Sequence, residues 1–388
     1  MNFDIHIEQI GTLDDIFGFY KYLVKKYNLT SHALLESSET TSNDTLYSFI
    51  ALKPDFMLEI QGEDFKIFEI STARGETIKE YLESKDPPEA RPNNPLPFKD
   101  NVDYNMVALD MLSHLTPYSN LPFTELFPRN IFYGGLLGYI GYDVVAPYVG
   151  YKAVSEFPDI LMGLYTKVLV YSHKSNALFM IDNSIGDYAK DKDIRYQLSL
   201  FKRNKSTYNY KSIEFDNEEI DESGFRSNTS KSAHTRMVEK TKEHIYAGDI
   251  IQAVISRRLY TESKVDPLAI YEVLRALNPS QYMYNIQFND VKIIGSSPEA
   301  LISKDKDVLH TVPIAGTIGR GKNAKEDNKL EKELLSDEKE CAEHLQLVDL
   351  ARNDLAKVSY PGTVDTYELM TIQKYQKVQH IVSKIRSL

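Results

Sequence analysis

TVPIAGTIGRGKNAKEDNKLEKELLSDEKECAEHLQLVDLARND, residues 311–354, carries the patterns from which the rest of the chain can be read. An apolar run turns at Pro313-Ile314-Ala315-Gly316-Thr317, a polar loop follows, and a long helical pattern closes the segment. Asp337 with Glu340 three residues later has the form of a capping box. Leu345, Leu347, Val348 and Leu350 are the expected buried stripe of the helix. Glu340 and Glu343, also three apart, share a helical face. Two carboxylates so placed suit a hard divalent cation such as Mg²⁺, which takes oxygen ligands and leaves room for substrate and water. A solvated acidic face has the same spacing, and spacing alone favours it.

Two motifs in this part of the chain invite over-reading. Gly316-Thr-Ile-Gly-Arg-Gly321-Lys322 has the spacing of a phosphate loop, but Asn323 stands where a Ser or Thr should ligate Mg²⁺. The glycines are expected instead to form a tight loop whose N–H groups face a carboxylate. His380 lies in a β-like run, Val378 to Val382, where a hydrogen-bonded sheet histidine is the simpler reading than a catalytic one.

Composition bounds the class. With 388 residues, 26% charged and 42% hydrophobic, the chain can bury one large core or two ordinary ones, and nothing marks it as disordered. A net charge of −11 argues against nucleic acid and anionic membrane as partners. An anionic substrate would need a local cation or backbone N–H groups to offset that field. Cys341 is the only cysteine, which excludes an intrachain disulfide and a cysteine metal site. MNFDIHIEQI lacks the pattern of a signal peptide. The apolar stretch from Phe132 to Val149 is broken by Gly134, Gly135, Gly138, Gly141, Asp143 and Pro147, so strands with tight turns are expected rather than a membrane span. A cytoplasmic protein is the expectation.

Along the chain, helices are expected over Ile16–Leu29, Val102–Leu115, about Tyr196–Phe201, Thr235–Ala247 (ended by Gly248) and Pro267–Leu277. Strands are expected at His32–Ser37, Leu46–Leu52, 56–60, 65–70, Ile160–Ser172, Ala177–Asp182, Asp249–Ser256, Tyr282–Phe288 and Val291–Ile294. Residues 84–100 hold five prolines and read as a surface connection, as does Ser38–Asp44 as a polar loop. The polar stretch 183–230 is the expected boundary between an N-terminal region, 1–182, and a second region, 231–388. Glu299 follows the turn Gly295-Ser-Ser-Pro298 and stands at a strand end. The pattern is α+β, with neighbouring strands pairing antiparallel.

Taken together, the segments resemble the chorismate-utilising enzymes, with anthranilate synthase component I the nearest branch. The resemblance is loose at Leu34-Leu-Glu-Ser37, Tyr47-Ser-Phe-Ile50 and Gly134–Asp143. It is dense at Ala247–Gln252, Asn278-Pro-Ser280, Gly295–Glu299, Pro313–Thr317, Lys339–His344, Val348–Asp354 and His380. It implies two large, mainly antiparallel β-sheets covered by helices in four layers, α/β/β/α.

The resemblance also implies a chemistry. Ammonia adds to C2 of chorismate as the C4 hydroxyl leaves, and loss of pyruvate then gives anthranilate, in tryptophan biosynthesis. Members that add water use a lysine base where this chain has Gln252, and a neutral amide cannot take a proton from water. Aminodeoxychorismate synthases carry a nucleophilic lysine where this chain has Ala315. Both positions favour ammonia addition. Glu299 is the implied general acid, so a setting that raises its pKa is expected. His380 is implied to move the proton in the elimination, Gly316 and Thr317 to contact chorismate, and Glu343 with Glu340 to hold Mg²⁺. Feedback inhibition by tryptophan maps to Ser37, Gln281, Tyr282 and Met283, with Leu46 where relatives have a basic residue. A glutamine amidotransferase subunit is the implied ammonia source. The relatives continue past the strand of His380 into further substrate- and metal-binding segments, so little turnover by this chain alone is expected. Aminodeoxychorismate synthase, isochorismate synthase, or a non-enzymatic subunit that binds tryptophan or the amidotransferase are the alternatives.

Overall fold

The computed structural model describes residues 4–37, 47–61, 64–83, 127, 131–150, 157–184, 191–204, 224–375 and 377–388. The helix expected at Val102–Leu115, the proline-rich stretch 84–100, the loop Ser38–Asp44 and Leu46 lie outside them.

In chain order the first half contributes β1 (Asp4–Thr12), α1 (Ile16–Tyr27), β2 (Ser31–Glu36), β3 (Tyr47–Ala51), β4 (Phe56–Gln61), β5 (Asp64–Phe68) and α2 (Ala73–Glu83). There follow β6 (Gly135–Ile140), a 3-10 turn (Tyr142–Val149), β7 (Ile160–Tyr165), β8 (Lys167–Ser172), β9 (Ala177–Ser184) and α3 (Lys192–Arg203). The second half adds β10 (Arg226–Ser227), α4 (Lys231–Ala247), β11 (Leu259–Tyr260), α5 (Pro267–Leu277), β12 (Tyr282–Phe288) and β13 (Val291–Ser297). It ends with β14 (Ser303–Asp305), β15 (Val308–Thr311), β16 (Ile314–Gly319), α6 (Ala324–Ser336), α7 (Glu338–Ala356), β17 (Asp365–Lys374) and β18 (Val378–Ser387). Among the described helices, none is long and apolar enough to cross a membrane.

Three larger antiparallel sheets organise the described residues. One has seven strands in the order β1-β9-β8-β3-β2-β12-β13, one has four (β5-β4-β7-β6), and one has five, β14-β15-β18-β16 with β17 on β18. The run Ile160–Ser172, read as one strand, divides at Thr166 so that β7 serves the four-stranded sheet and β8 the seven-stranded one. Asp55 fixes that corner: its buried carboxylate accepts the Thr166 N–H (2.9 Å) and hydroxyl (2.7 Å). Met57, Leu137, Leu161 and Tyr165 from one sheet and Ala33, Tyr47, Val170, Ile181 and Ile286 from the other share one core, so the two sheets pack face to face.

Helices cover the outer faces. Ile78 of α2 packs on Phe56, Leu58 and Leu164 of the four-stranded sheet. On the seven-stranded sheet, Phe19 of α1 meets Phe201 of α3 at 5.3 Å. The Tyr20 hydroxyl donates to His32 Nδ1 (2.6 Å) and accepts from Asn285 Nδ2 (2.8 Å). Burial pushes His32 down to about 4, which keeps the ring neutral. This is the α/β/β/α order expected. On the five-stranded sheet, Val348 and Leu355 of α7 pack against Ile385 of β18.

Two compact units emerge, residues 1–210 with 271–388, and residues 211–270. This grouping cuts differently from a linear boundary at 183–230, because β12 pairs with β2 and so lengthens a sheet begun by the first half. The 211–270 unit contains α4, capped by Ser230 and ended by left-handed Gly248 (φ 83°). The strand expected over Asp249–Ser256 does not form. Its β-branched run finds no paired neighbour among the described residues, Ile251 and Val254 are 79% and 89% exposed, and the unit's only described ladder joins β10 to β11. A strand owes its stability to ladder bonds and to a buried face, and this run has neither.

Candidate active site

The segment 311–319 owes its geometry to one glycine. β16 and β18 pair antiparallel, Ala315 opposite Ile381 and Thr317 opposite His380, and the register skips at Gly316. Gly316 has φ 76°, and a Cβ there would stand 2.9 Å from Ile381 Cδ1, a fully buried side chain. Only glycine is comfortable at such a bulge. The bulge turns the Gly316 carbonyl to within 3.2 Å of His380 Nδ1, and Thr317 Oγ1 lies 3.0 Å from the same nitrogen. Donation from Nδ1 to the carbonyl fixes the tautomer in which Nε2 carries the basic lone pair. Among the described residues, Nε2 has no hydrogen-bond partner, and the Tyr375 ring meets the imidazole edge-on at 5.2 Å.

α7 brings carboxylates to this bulge. Asp337 caps it, accepting from the Lys339 (2.9 Å) and Glu340 (3.0 Å) N–H groups, as the capping pattern implied. The reciprocal half of the box is absent: Glu340 is bonded to Lys339 Nζ at 3.0 Å. Glu340 Cβ would be 3.6 Å from a Cβ on Gly316, so the first turn of α7 lies directly against the bulge. Glu343 follows three residues later on the same helix, close enough for both carboxylates to act on Lys339.

Of the buried stripe expected along α7, Val348 is buried and Leu347 half-buried. Leu345 and Leu350 are exposed, and the residues facing the sheet are His344, Val348, Ala351 and Leu355. His344 is fully buried and bonded through Nε2 to Ser383 Oγ of β18 at 2.6 Å. It therefore pins the helix that carries Glu340 and Glu343. Spacing of four, three and four from 344 was the available signal, and a histidine within it reads as polar. The false phosphate loop behaves as expected: Gly321 N–H donates to Asp327 (2.6 Å) and Lys322 N–H to Glu326 (2.7 Å).

Glu299 stands two residues past β13, on the connection that leaves the seven-stranded sheet for β14 of the five-stranded one. Burial pushes its carboxyl up to about 7. Among the described residues no cation or hydrogen-bond donor touches that carboxyl, so nothing opposes desolvation, and the proton is retained near neutral pH. The structure thus brings Gly316, Thr317, His380 and Glu340 into contact, and gives Glu299 the raised pKa of an acid. Gln252 lies in the 211–270 unit on an exposed segment.

Among the described residues, no group of three or more His, Cys, Asp or Glu side chains converges as a metal site. Glu340 and Glu343 still fit Mg²⁺ as a partial donor set, since that ion commonly takes one or two protein carboxylates and completes its shell with substrate oxygens and water.

At the end of β2, Ser37 is buried, and Met283 of β12 pairs with Glu36 beside it. Carried one residue further, that register sets Tyr282 across from Ser37, with Gln281 next along. Beneath them Glu36 accepts both Arg275 Nε (2.6 Å) and Nη2 (3.0 Å), and the Tyr271 hydroxyl (2.8 Å). Sequence reading passed over this triad, whose members lie 235 and 239 positions apart in the chain.

Comparison with known proteins identifies the family. The chorismate binding enzyme family matches residues 81–388. Anthranilate synthase component 1 of Aquifex aeolicus (strain VF5) is 36% identical over 363 residues, covering 91% of this chain and 67% of that protein. Its counterpart from Acetivibrio thermocellus is 41% identical over 282 residues, 69% of this chain and 56% of that protein. The chain thus spans about half to two thirds of the length of the curated relatives it matches. The crystal structure of anthranilate synthase component I from Streptococcus pneumoniae TIGR4 superposes with TM-score 0.62 at 26% identity, over 90% of this chain and 70% of that one. The menaquinone-specific isochorismate synthase from Escherichia coli shares the fold alone (TM-score 0.51, 12% identity, all of this chain and 71% of that one). With the family's model matching residues 81–388 and a relative 36% identical over 91% of the chain, the chain belongs to the chorismate binding enzyme family.

Proposed function

We propose that the protein is an anthranilate synthase component I, which converts chorismate and ammonia to anthranilate, pyruvate and water. The single observation that carries the reading is the cluster at the β16–β18 bulge, where Thr317 and the Gly316 carbonyl orient His380 under the first turn of α7. Glu299, protonated near pH 7, gives its proton to the departing C4 hydroxyl as ammonia bonds to C2. His380 Nε2 then takes the C2 proton as the bond between the ring and the enolpyruvyl oxygen breaks; the ring becomes aromatic, and the released enolate becomes pyruvate by taking a proton at its methylene carbon. Thr317 and Gly316 orient the substrate and the imidazole. Glu343 and Glu340 would hold Mg²⁺, whose charge offsets the protein's negative field at the substrate carboxylate.

Ala315 and Gln252 support ammonia over the other nucleophiles of the family, since neither offers an amine or a base. We place tryptophan, as feedback inhibitor, at Ser37, Gln281, Tyr282 and Met283, and take a glutamine amidotransferase subunit as the ammonia source in the cytoplasm. The relatives' name, anthranilate synthase component 1, supports the reaction assigned above.

The test supplies the chain with chorismate, ammonium and Mg²⁺, follows chorismate binding by calorimetry and identifies the product by mass. Chorismate binding with anthranilate as the only aromatic product is expected. Isochorismate or aminodeoxychorismate as product, or no chorismate binding at all, would overturn the assignment.

A further inference from the structure

One cavity lies away from the candidate active site. It has a volume of about 720 Å³ and opens where the start of β2, the end of β3 and the start of α3 meet. That volume falls in the range of small-molecule sites. We propose that this cavity is a second ligand site, for a compact amphipathic monocarboxylate with an apolar body of one or two rings, its carboxylate met by Lys53.

The walls decide the class. Leu29, Ile50, Leu52, Leu169 and Ile194 give an apolar interior. The acidic groups at the rim are already engaged. Asp193 accepts from the Tyr27 hydroxyl (2.6 Å) and Gln197 Nε2 (3.0 Å). Asp191 caps α3 and pairs with Lys167 at 3.0 Å, and Glu69 accepts from Asn289. A cationic ligand would therefore compete with bonds that already exist. The uncommitted polar groups differ in sign. Lys53 is exposed at the rim with no ion pair among the described residues, and Ser31, 6% exposed, has a hydroxyl with no hydrogen-bond partner among them. A buried hydroxyl without a partner is uncommon in a folded protein and calls for an explanation. An ammonium without an ion pair among the described residues, at the mouth of an apolar interior, suits an anion with a hydrophobic body.

The cavity is separate from every residue assigned above. Ser31 and Glu36 are the two ends of β2, so the cavity and Ser37 are about 20 Å apart along the strand. None of Glu299, Gly316, Thr317, Glu340, Glu343 and His380 lines it.

The experiment uses 2-naphthoate with the whole chain, reading the probe's own fluorescence, which no tryptophan obscures because the chain has none. Saturable binding is expected, with 2-naphthamide at least ten-fold weaker. Lys53→Glu and Thr30→Glu, both at exposed rim positions, should each weaken naphthoate at least ten-fold while near-ultraviolet circular dichroism confirms the fold. Thr317→Val should leave binding unchanged. Absence of saturable binding, equal affinity for the amide, wild-type affinity in Lys53→Glu, or loss of binding in Thr317→Val would each overturn the proposal, the last by moving the acid to the bulge.

Discussion

Replacing Glu299 by Gln tests the general-acid assignment through stability rather than turnover. A carboxyl held at about 7 instead of 4.5 makes the folded state the better proton binder across that interval. Stability must therefore fall as pH rises from 4.5 to about 7, because the folded protein has to ionise a group that the unfolded chain ionises freely. The full interval corresponds to about 3 kcal/mol at ~1.4 kcal/mol per pH unit. Because the side chain is only half-buried, water screening lowers that to about 1–2 kcal/mol. Glutamine has nearly the same shape and no charge to desolvate. Urea unfolding of both proteins at pH 5 and pH 8 should show the wild type losing about 1–2 kcal/mol relative to Glu299→Gln over that interval. Parallel pH dependence in the two proteins would show that Glu299 is not desolvated, and with it the argument for a proton held ready at neutral pH would go.

Four further outcomes follow from the geometry. His380→Ala should slow pyruvate release more than ammonia addition, seen as accumulation of the aminated intermediate by chromatography; equal loss of both steps counts against its role in elimination. Gly316→Ala combines a left-handed backbone with a 2.9 Å approach to Ile381 Cδ1, and should cost about 1–3 kcal/mol in urea unfolding, with Ile381→Val restoring part of it. Glu343→Gln should weaken the Mg²⁺ dependence of chorismate binding measured by calorimetry while leaving the unfolding midpoint in place. Arg275→Met leaves the Glu36 carboxylate buried without its cation and should cost about 3–5 kcal/mol, whereas the double variant Glu36→Gln/Arg275→Met should cost less than the sum of the singles.

Local pattern was legible wherever a residue's neighbours in sequence are also its neighbours in space. The Asp337 cap, the Gly248 stop, the β12–β13 hairpin around Asn289-Asp290 and the N–H groups of Gly321 and Lys322 turned to carboxylates are all contacts within a few residues. The misreadings arose where a distant surface decides. Leu345 and Leu350 look like core by hydrophobicity, but the face that meets β18 is set by where that strand runs, and there His344 is the buried residue, its Nε2 bonded to Ser383. The Asp249–Ser256 run has the composition of a strand, yet no described strand pairs with it. Thr166 splits one apolar run between two sheets because Asp55, 111 positions earlier, captures its N–H and hydroxyl.

One long-range pairing ties the assigned residues into a single device. β12 lies between β2 and β13, with Met283 opposite Glu36 on one side and opposite Ser296 on the other. Tyr282 pairs with Ser297, whose hydroxyl bonds the Glu299 carbonyl at 3.0 Å. The residues to which we assign tryptophan are therefore one strand pairing and two residues away from the proposed general acid. A ligand that shifted the end of β12 would act on the strand paired with the one that leads to Glu299. The Arg275–Glu36–Tyr271 triad clamps α5 to β2 beneath the same strand end, which gives that end a fixed resting position from which to be moved.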